Sequence, residues 1–225
     1  RRPGGYPLKE VVGFVVSQRR LHLPLLVGLL AMNFQLYGLA AWMPAFYERT
    51  YGWGPAVSGP LLGMVGLVSA MAGLFLGARL AEMLGKRHDD ANMRVVFIAQ
   101  ALGIPFGILA PLMPDPWLAL ACGAVGGLVA AMGGPAYNAV LNISTPNEMR
   151  SQINAMYFII MNAIAGSLGP TLVALATDYI AHSEADLRYV MVGFRVLLGP
   201  IGVLLLWRAI APYGRVYRER IAENS

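Results

Sequence analysis

Long apolar blocks alternate with short polar turns along the whole chain. The blocks fall at about 23–47, 57–80, 94–113, 117–141, 152–177 and 189–210. A helix needs about 20 residues to cross a hydrocarbon core of roughly 30 Å, and each block meets that length. The pattern predicts an all-α membrane protein with six transmembrane helices. Residues 1–5 form a basic lead-in rich in Gly and Pro. After it, Val11, Val12, Val15 and Val16 recur at helical spacing among Lys9, Glu10, Gln18, Arg19 and Arg20. That spacing predicts a short helix lying at the membrane surface. The chain thus divides into a linker with a surface helix (1–22), a six-helix transmembrane domain (23–210) and a tail (211–225).

The stretch 142–178 joins a polar hinge to an uncharged span. Thr145, Pro146, Asn147 and Glu148 read as a helix start, since Pro is tolerated in a first turn and Glu suits the positive end of the helix dipole. Asn154, Phe158 and Asn162 are spaced i, i+4, i+8, which puts both amides on one helix face. Gly166, Gly169 and Pro170 allow close helix contact and a local bend. Asn162 sits near mid-span, and a buried amide must find a partner. A helix–helix hydrogen bond and a substrate-lining role both satisfy that demand.

Composition supports the membrane class: 57% of the residues are hydrophobic and 13% are charged. The formal net charge is +5, but its distribution points to topology rather than to nucleic acid. One set of turns and ends holds Arg1, Arg2, Lys9, Arg19, Arg20, Lys86, Arg87, Arg94, Arg150, Arg215, Arg218 and Arg220. The other set holds Arg49 and Arg188. The excess marks the first set, with both termini, as cytoplasmic in a cell-membrane protein. No aromatic residues interleave these charges in a groove-like patch, so no nucleic-acid partner is expected. Cys122 stands alone in an apolar run and can form no internal disulfide. The chain opens on Arg rather than Met, which reads as a fragment or a processed chain.

Residues 77–87 carry the next signal, as a loop joining the second and third spans. Gly77 and Gly85 flank Glu82 and Met83, and Lys86 and Arg87 follow. This segment resembles the cytoplasmic loop of major facilitator superfamily transporters, in the degenerate copy of their second half. Glu82 stands where the family has Asp, and Met83 where it has Arg. Pro146 to Arg150 with Ala155, Asn162, Gly169, Pro170 and Asp178 is similar to the tenth-to-eleventh-helix region of the spinster-like branch. Leu187, Arg188 and Tyr189, and Trp42, Met43, Pro44 and Phe46, fit the same branch. The resemblance implies two six-helix halves, of which this chain is the second, built from two inverted three-helix repeats. It implies a membrane-lipid environment, a small-molecule substrate and an N-terminal half missing from this chain. Glu82 would then be the acidic residue of a conformational-switch loop with Gly77, Gly85, Lys86 and Arg87, and Pro146 and Arg150 a cytoplasmic hinge.

Substrate-lining candidates follow from depth and residue type. Asn33 and Tyr37 share a face of the first span, with Gln35 close by. Tyr137 and Asn138 lie in the fourth span, and Asn154, Tyr157 and Asn162 in the fifth. These side chains offer donors and acceptors without charge, suited to orienting an amphiphile's head group. Gly123, Gly126, Gly127, Gly133, Gly134 and Pro135 soften the fourth span, or else pack helices closely. Trp42 reads as an aromatic-belt residue at the outer interface. Arg195, about two turns into the last span, is an intramembrane charge that either faces a cavity or snorkels to the interface.

Enzyme readings find no support in the residues. His22, His88 and His182 lack metal-ligand spacing, no nucleotide motif is present, and no metal or cofactor is expected. The expectation is a secondary active transporter of a small amphiphilic or lipid-like organic solute. A drug or organic-anion carrier of the same superfamily and a non-transporting six-helix scaffold or sensor are the alternatives.

Overall fold

The structure is a computed structural model and describes residues 5–179 and 186–224. Residues 1–4 of the lead-in, and His182 and Glu184 before the last span, lie outside the described residues. Among the described residues eight α-helices follow one another: α1 (Leu8–Ser17), α2 (Arg19–Tyr51), α3 (Pro55–Gly85), α4 (Ala91–Leu112), α5 (Pro116–Ser144), α6 (Arg150–Ile160), α7 (Ser167–Tyr179) and α8 (Leu187–Asn224). A π-helical turn, Met161–Gly166, joins α6 to α7. There is no strand among the described residues. Six segments are long and apolar enough to cross a membrane: α2, α3, α4, α5, the α6–α7 unit and α8. The chain is a multi-pass, all-α membrane protein.

Local chemistry sets the turns. Gly52 ends α2 in the left-handed region at φ 72°, where glycine carries no Cβ penalty. The Asp115 carboxylate caps α5, accepting from the backbone N–H of Trp117 at 2.9 Å and of Leu118 at 3.1 Å. Pro55 and Pro116 sit in the first turns of α3 and α5, where their missing N–H costs nothing.

Helix pairing follows a repeated scheme. Within the bundle α5 packs on α3 and α4, as α2 packs on the α6–α7 unit and α8, and α4 meets α8. Exchanging α2–α4 for the last three spans reproduces the same contacts, as two three-helix repeats require. Two close backbone approaches hold the scheme. A Cβ on Gly38 of α2 would lie 3.2 Å from the carbonyl of Gly169 in α7. A Cβ on Gly77 of α3 would strike the backbone of Met132 in α5. The core falls into two clusters. One, at the end carrying α1, is built on Leu21, Leu25, Val140, Ile153 and Tyr157. The other, at the opposite end, is built on Phe46, Tyr47, Leu120, Val173 and Met191.

Several expectations need correction. The segment 77–85 is not a loop: α3 continues to Gly85, and only 86–90 turn the chain. Long apolar helices overrun the bilayer, and nothing in Leu80–Leu84 breaks helical geometry. Pro146 does not start the fifth span; residues 147–149 form a turn and the helix begins at Arg150. The fifth span is not one regular helix. Pro170 has no N–H for the Gly166 carbonyl, and the π-helical turn ends at that residue. Trp42 is tied into the bundle, its indole N–H donating to the Pro170 carbonyl at 3.1 Å. Residues 211–224 are helical as part of α8.

Candidate functional site

Four helices leave a cavity of about 190 Å³ between them. From α2 it takes Gln35, Leu36, Leu39 and Ala40, and from α4 Gln100, Gly103, Phe106 and Gly107. Gly123, Gly126, Gly127 and Ala130 of α5, with Met191 and Arg195 of α8, complete the wall. Its end away from α1 rests on Phe46 and Tyr47 of the second core cluster. The solvent-exposed lining residues are Leu36 and Ala40 on α2, and Gly127 and Ala130 on α5. The lining residues of α4 and α8 are buried or half-buried. The mouth therefore opens between α2 and α5, and the floor is made by α4 and α8.

Arg195 points into this space and does not snorkel outward. Its Nη1 donates to the Gln35 side-chain oxygen at 3.3 Å. The Gln35 Nε2 in turn donates to the Ala31 carbonyl at 3.1 Å, which fixes the amide. The Arg195 Nε is buried and has no partner among the described residues. The guanidinium lies across α4 because residue 107 is Gly: a Cβ there would stand 2.6 Å from the Arg195 Nε. Among the described residues, no acidic side chain lines the cavity. Gln100 is buried on the same wall.

The other candidates from sequence stand elsewhere. Asn33 donates to its own helix at the Leu29 carbonyl, 2.8 Å, and faces the Met161 sulfur at 3.5 Å. Tyr37 and Tyr137 are half-buried, and Asn138 is exposed and bonded to the Gly134 carbonyl. Asn154 donates to the Asn142 side chain at 3.0 Å, a link between the fourth and fifth spans. Asn162 folds back onto the Phe158 carbonyl at 2.9 Å. Tyr157 is fully buried at the α1 end, against His22. Of the candidates, Gln35 and Arg195 alone line the cavity.

Sequence reasoning missed Gln100 and Gly107 for this site, and the buried His22. A lone amide inside an otherwise apolar third span was the available signal for Gln100. In the 77–87 segment, Glu82 pairs with Arg79 at 3.0 Å and both are largely exposed. Arg150 and Asn147 border a polar recess with Thr145 and Tyr217, at the end of the bundle that also carries α1. Among the described residues, no three His, Cys, Asp or Glu side chains cluster in a way that would hold a metal ion.

The family model described as Major Facilitator Superfamily matches residues 1–170. An MFS-type efflux pump of Mycolicibacterium smegmatis is 29% identical over 188 residues, covering 80% of this chain and 42% of that protein. A Haemophilus influenzae protein whose name proposes metabolite transport is 28% identical, over 68% of this chain and 36% of its own length. An uncharacterized transporter of Bacillus subtilis is 22% identical, over 78% of this chain and 40% of its own length. The chain thus spans less than half the length of these curated relatives. The similarities lie with membrane transporters and not with enzymes.

Proposed function

Because the chain belongs to the Major Facilitator Superfamily, we propose that it forms the C-terminal six-helix half of a secondary active transporter working by alternating access. One observation carries this reading: a cavity opening between α2 and α5, walled largely by apolar side chains, reaches Gln35, Gln100 and Arg195. In two-half transporters the substrate binds near the midplane, where the halves meet. The N-terminal half is the partner this reading requires, facing the α2/α5 side, with lipid around the rest. The excess of Lys and Arg at the α1 end supports a cytoplasmic position for both termini in a cell-membrane protein. Residues 1–22 serve as a cytoplasmic linker and 211–225 as a tail.

The solute is a small amphiphilic or lipid-like organic molecule. Apolar walls at Leu36, Leu39 and Phe106 suit its body, and the polar floor suits its head. We place the chain in the spinster-like branch on the Pro146–Arg150 and Trp42–Phe46 matches. Asn33, Tyr37, Tyr137, Asn138, Asn154 and Asn162 are proposed to line the substrate path outside this cavity, while Tyr157 is buried against His22. The printed name of the Mycolicibacterium relative favours a second reading, export of a drug or an organic anion.

Reconstitution of the carrier containing this chain into liposomes tests the proposal. Saturable flux of a fluorescent lysophospholipid supports the first reading, and selective flux of an anionic dye the second. A folded, inserted carrier that moves neither under ion gradients would contradict transport and leave a scaffold or sensor.

A further inference from the structure

An isolated guanidinium inside a membrane bundle is costly unless a partner neutralises it. Arg195 has a neutral amide oxygen at 3.3 Å and a buried Nε with no partner among the described residues. It does not serve to bridge helices by an ion pair, because no carboxylate lines the cavity from α2, α4, α5 or α8. Gly107 clears the ground under the guanidinium, and Gly103 and Gly126 line the cavity without a side chain to fill it. The remaining donor capacity of Arg195 faces a cavity with an open mouth.

We propose that the α2/α4/α5/α8 cavity is a binding subsite for a monoanionic carboxylate carried on a compact apolar body. Arg195 offers a planar fork of N–H donors that matches the two oxygens of a carboxylate. Gln100 lines the same cavity from α4, with its amide nitrogen on the side of Gly202 in α8. Gln35 is a positioning residue: it accepts from Arg195 and is itself held by the Ala31 carbonyl. One guanidinium balances one negative charge, so a dianionic phosphate would leave charge uncompensated in a low-dielectric site. The apolar remainder lies along Leu36, Leu39 and Phe106 toward the mouth. The subsite rests on the transport reading for its role, while its occupancy is measured without transport.

Ligand-observed fluorine NMR on the purified carrier in detergent tests the assignment. The probes are 4-fluorobenzoate, 4-fluorobenzylamine, 4-fluorobenzyl alcohol and monofluorophosphate. The expected result is binding of 4-fluorobenzoate, at least tenfold tighter than any of the other three. Arg195→Gln should weaken benzoate binding at least tenfold, with Arg195→Lys falling between it and the native protein. Gly107→Ala keeps every polar group but displaces the guanidinium, and it should also weaken binding. If Arg195→Gln does not fold, Gly107→Ala decides the matter. Unchanged benzoate binding in the folded variants, absence of benzoate binding, or tighter binding of monofluorophosphate overturns the proposal. Benzoate binding without any solute flux would leave the subsite standing and sink only the transport reading.

Discussion

The imidazole Nδ1 of His22 lies 2.9 Å from the hydroxyl of Tyr157, and that hydroxyl donates to the His22 carbonyl at 3.2 Å. Both residues are fully buried, and the pair ties the start of α2 to α6 beneath α1. With the hydroxyl proton committed to the carbonyl, Nδ1 is the nitrogen left to donate. Tyr157→Phe would leave the buried His22 Nδ1–H without its partner, at a cost of about 1–3 kcal/mol. Denaturant unfolding of the purified protein measures it. A loss below about 0.5 kcal/mol, the range of ordinary surface changes, would mean that the pair does not bind the two helices together.

The contact of Gly38 with Gly169 makes a second, sharper prediction. A Cβ on Gly169 would stand 3.0 Å from the Gly38 nitrogen. Gly169→Val should force α2 and α7 apart, with an overpacking cost of about 1–3 kcal/mol. Gly63 on α3 meets nothing within 4 Å. Gly63→Ala should be neutral or stabilising by about 0.4–1 kcal/mol, because Ala restricts the unfolded chain. Parallel unfolding curves check the pair. Equal effects would deny that the glycine contact sets the helix spacing.

What is legible in the sequence is what periodicity and length control. The six spans are visible because a bilayer demands long uncharged helices, and 57% hydrophobic residues leave few other arrangements. Arg195 can be singled out by charge alone. Its partner Gln35 cannot be matched to it, since the two are 160 positions apart and meet through tertiary packing. Trp42 reads as an interfacial residue because its hydrogen bond to Pro170 spans two helices and leaves no local trace. The extension of α3 through Gly85 is hidden by Gly77, Gly85 and the charges of Arg79 and Glu82, which suit a loop as well as a helix end. The burial of His22 leaves no local trace, because its partner Tyr157 is 135 positions away and Phe14 reaches it from a separate helix.

The exposed Arg79–Glu82 pair separates stability from conformational control. An exposed ion pair contributes about 0–1 kcal/mol. Glu82→Gln should leave unfolding nearly unchanged while shifting the ratio of inward to outward labelling in the carrier. An unchanged ratio would leave Glu82 a solvated charge near the end of α3.

Energy coupling gives a fourth outcome. Among the described residues, no acidic side chain with a described environment is fully buried, and Asp178 is exposed near the end of α7. A proton-coupling carboxylate needs shielding from bulk water for its affinity to follow the access state. Asp178→Asn should therefore leave substrate-driven proton flux in reconstituted carrier unaltered. Abolished proton movement with substrate binding intact would place coupling in this six-helix unit.

The most direct test of the transport account is the accessibility of the cavity mouth. Cys122 is replaced by Ala, and Ala40→Cys and Ala130→Cys are introduced singly at the exposed rim on α2 and α5. A membrane-impermeant maleimide is then applied from either side of sealed proteoliposomes, with and without a substrate gradient. Alternating access predicts that both positions react from one side at rest and from the other when the gradient is imposed. Reactivity from one fixed side under every condition, or from neither, would contradict it.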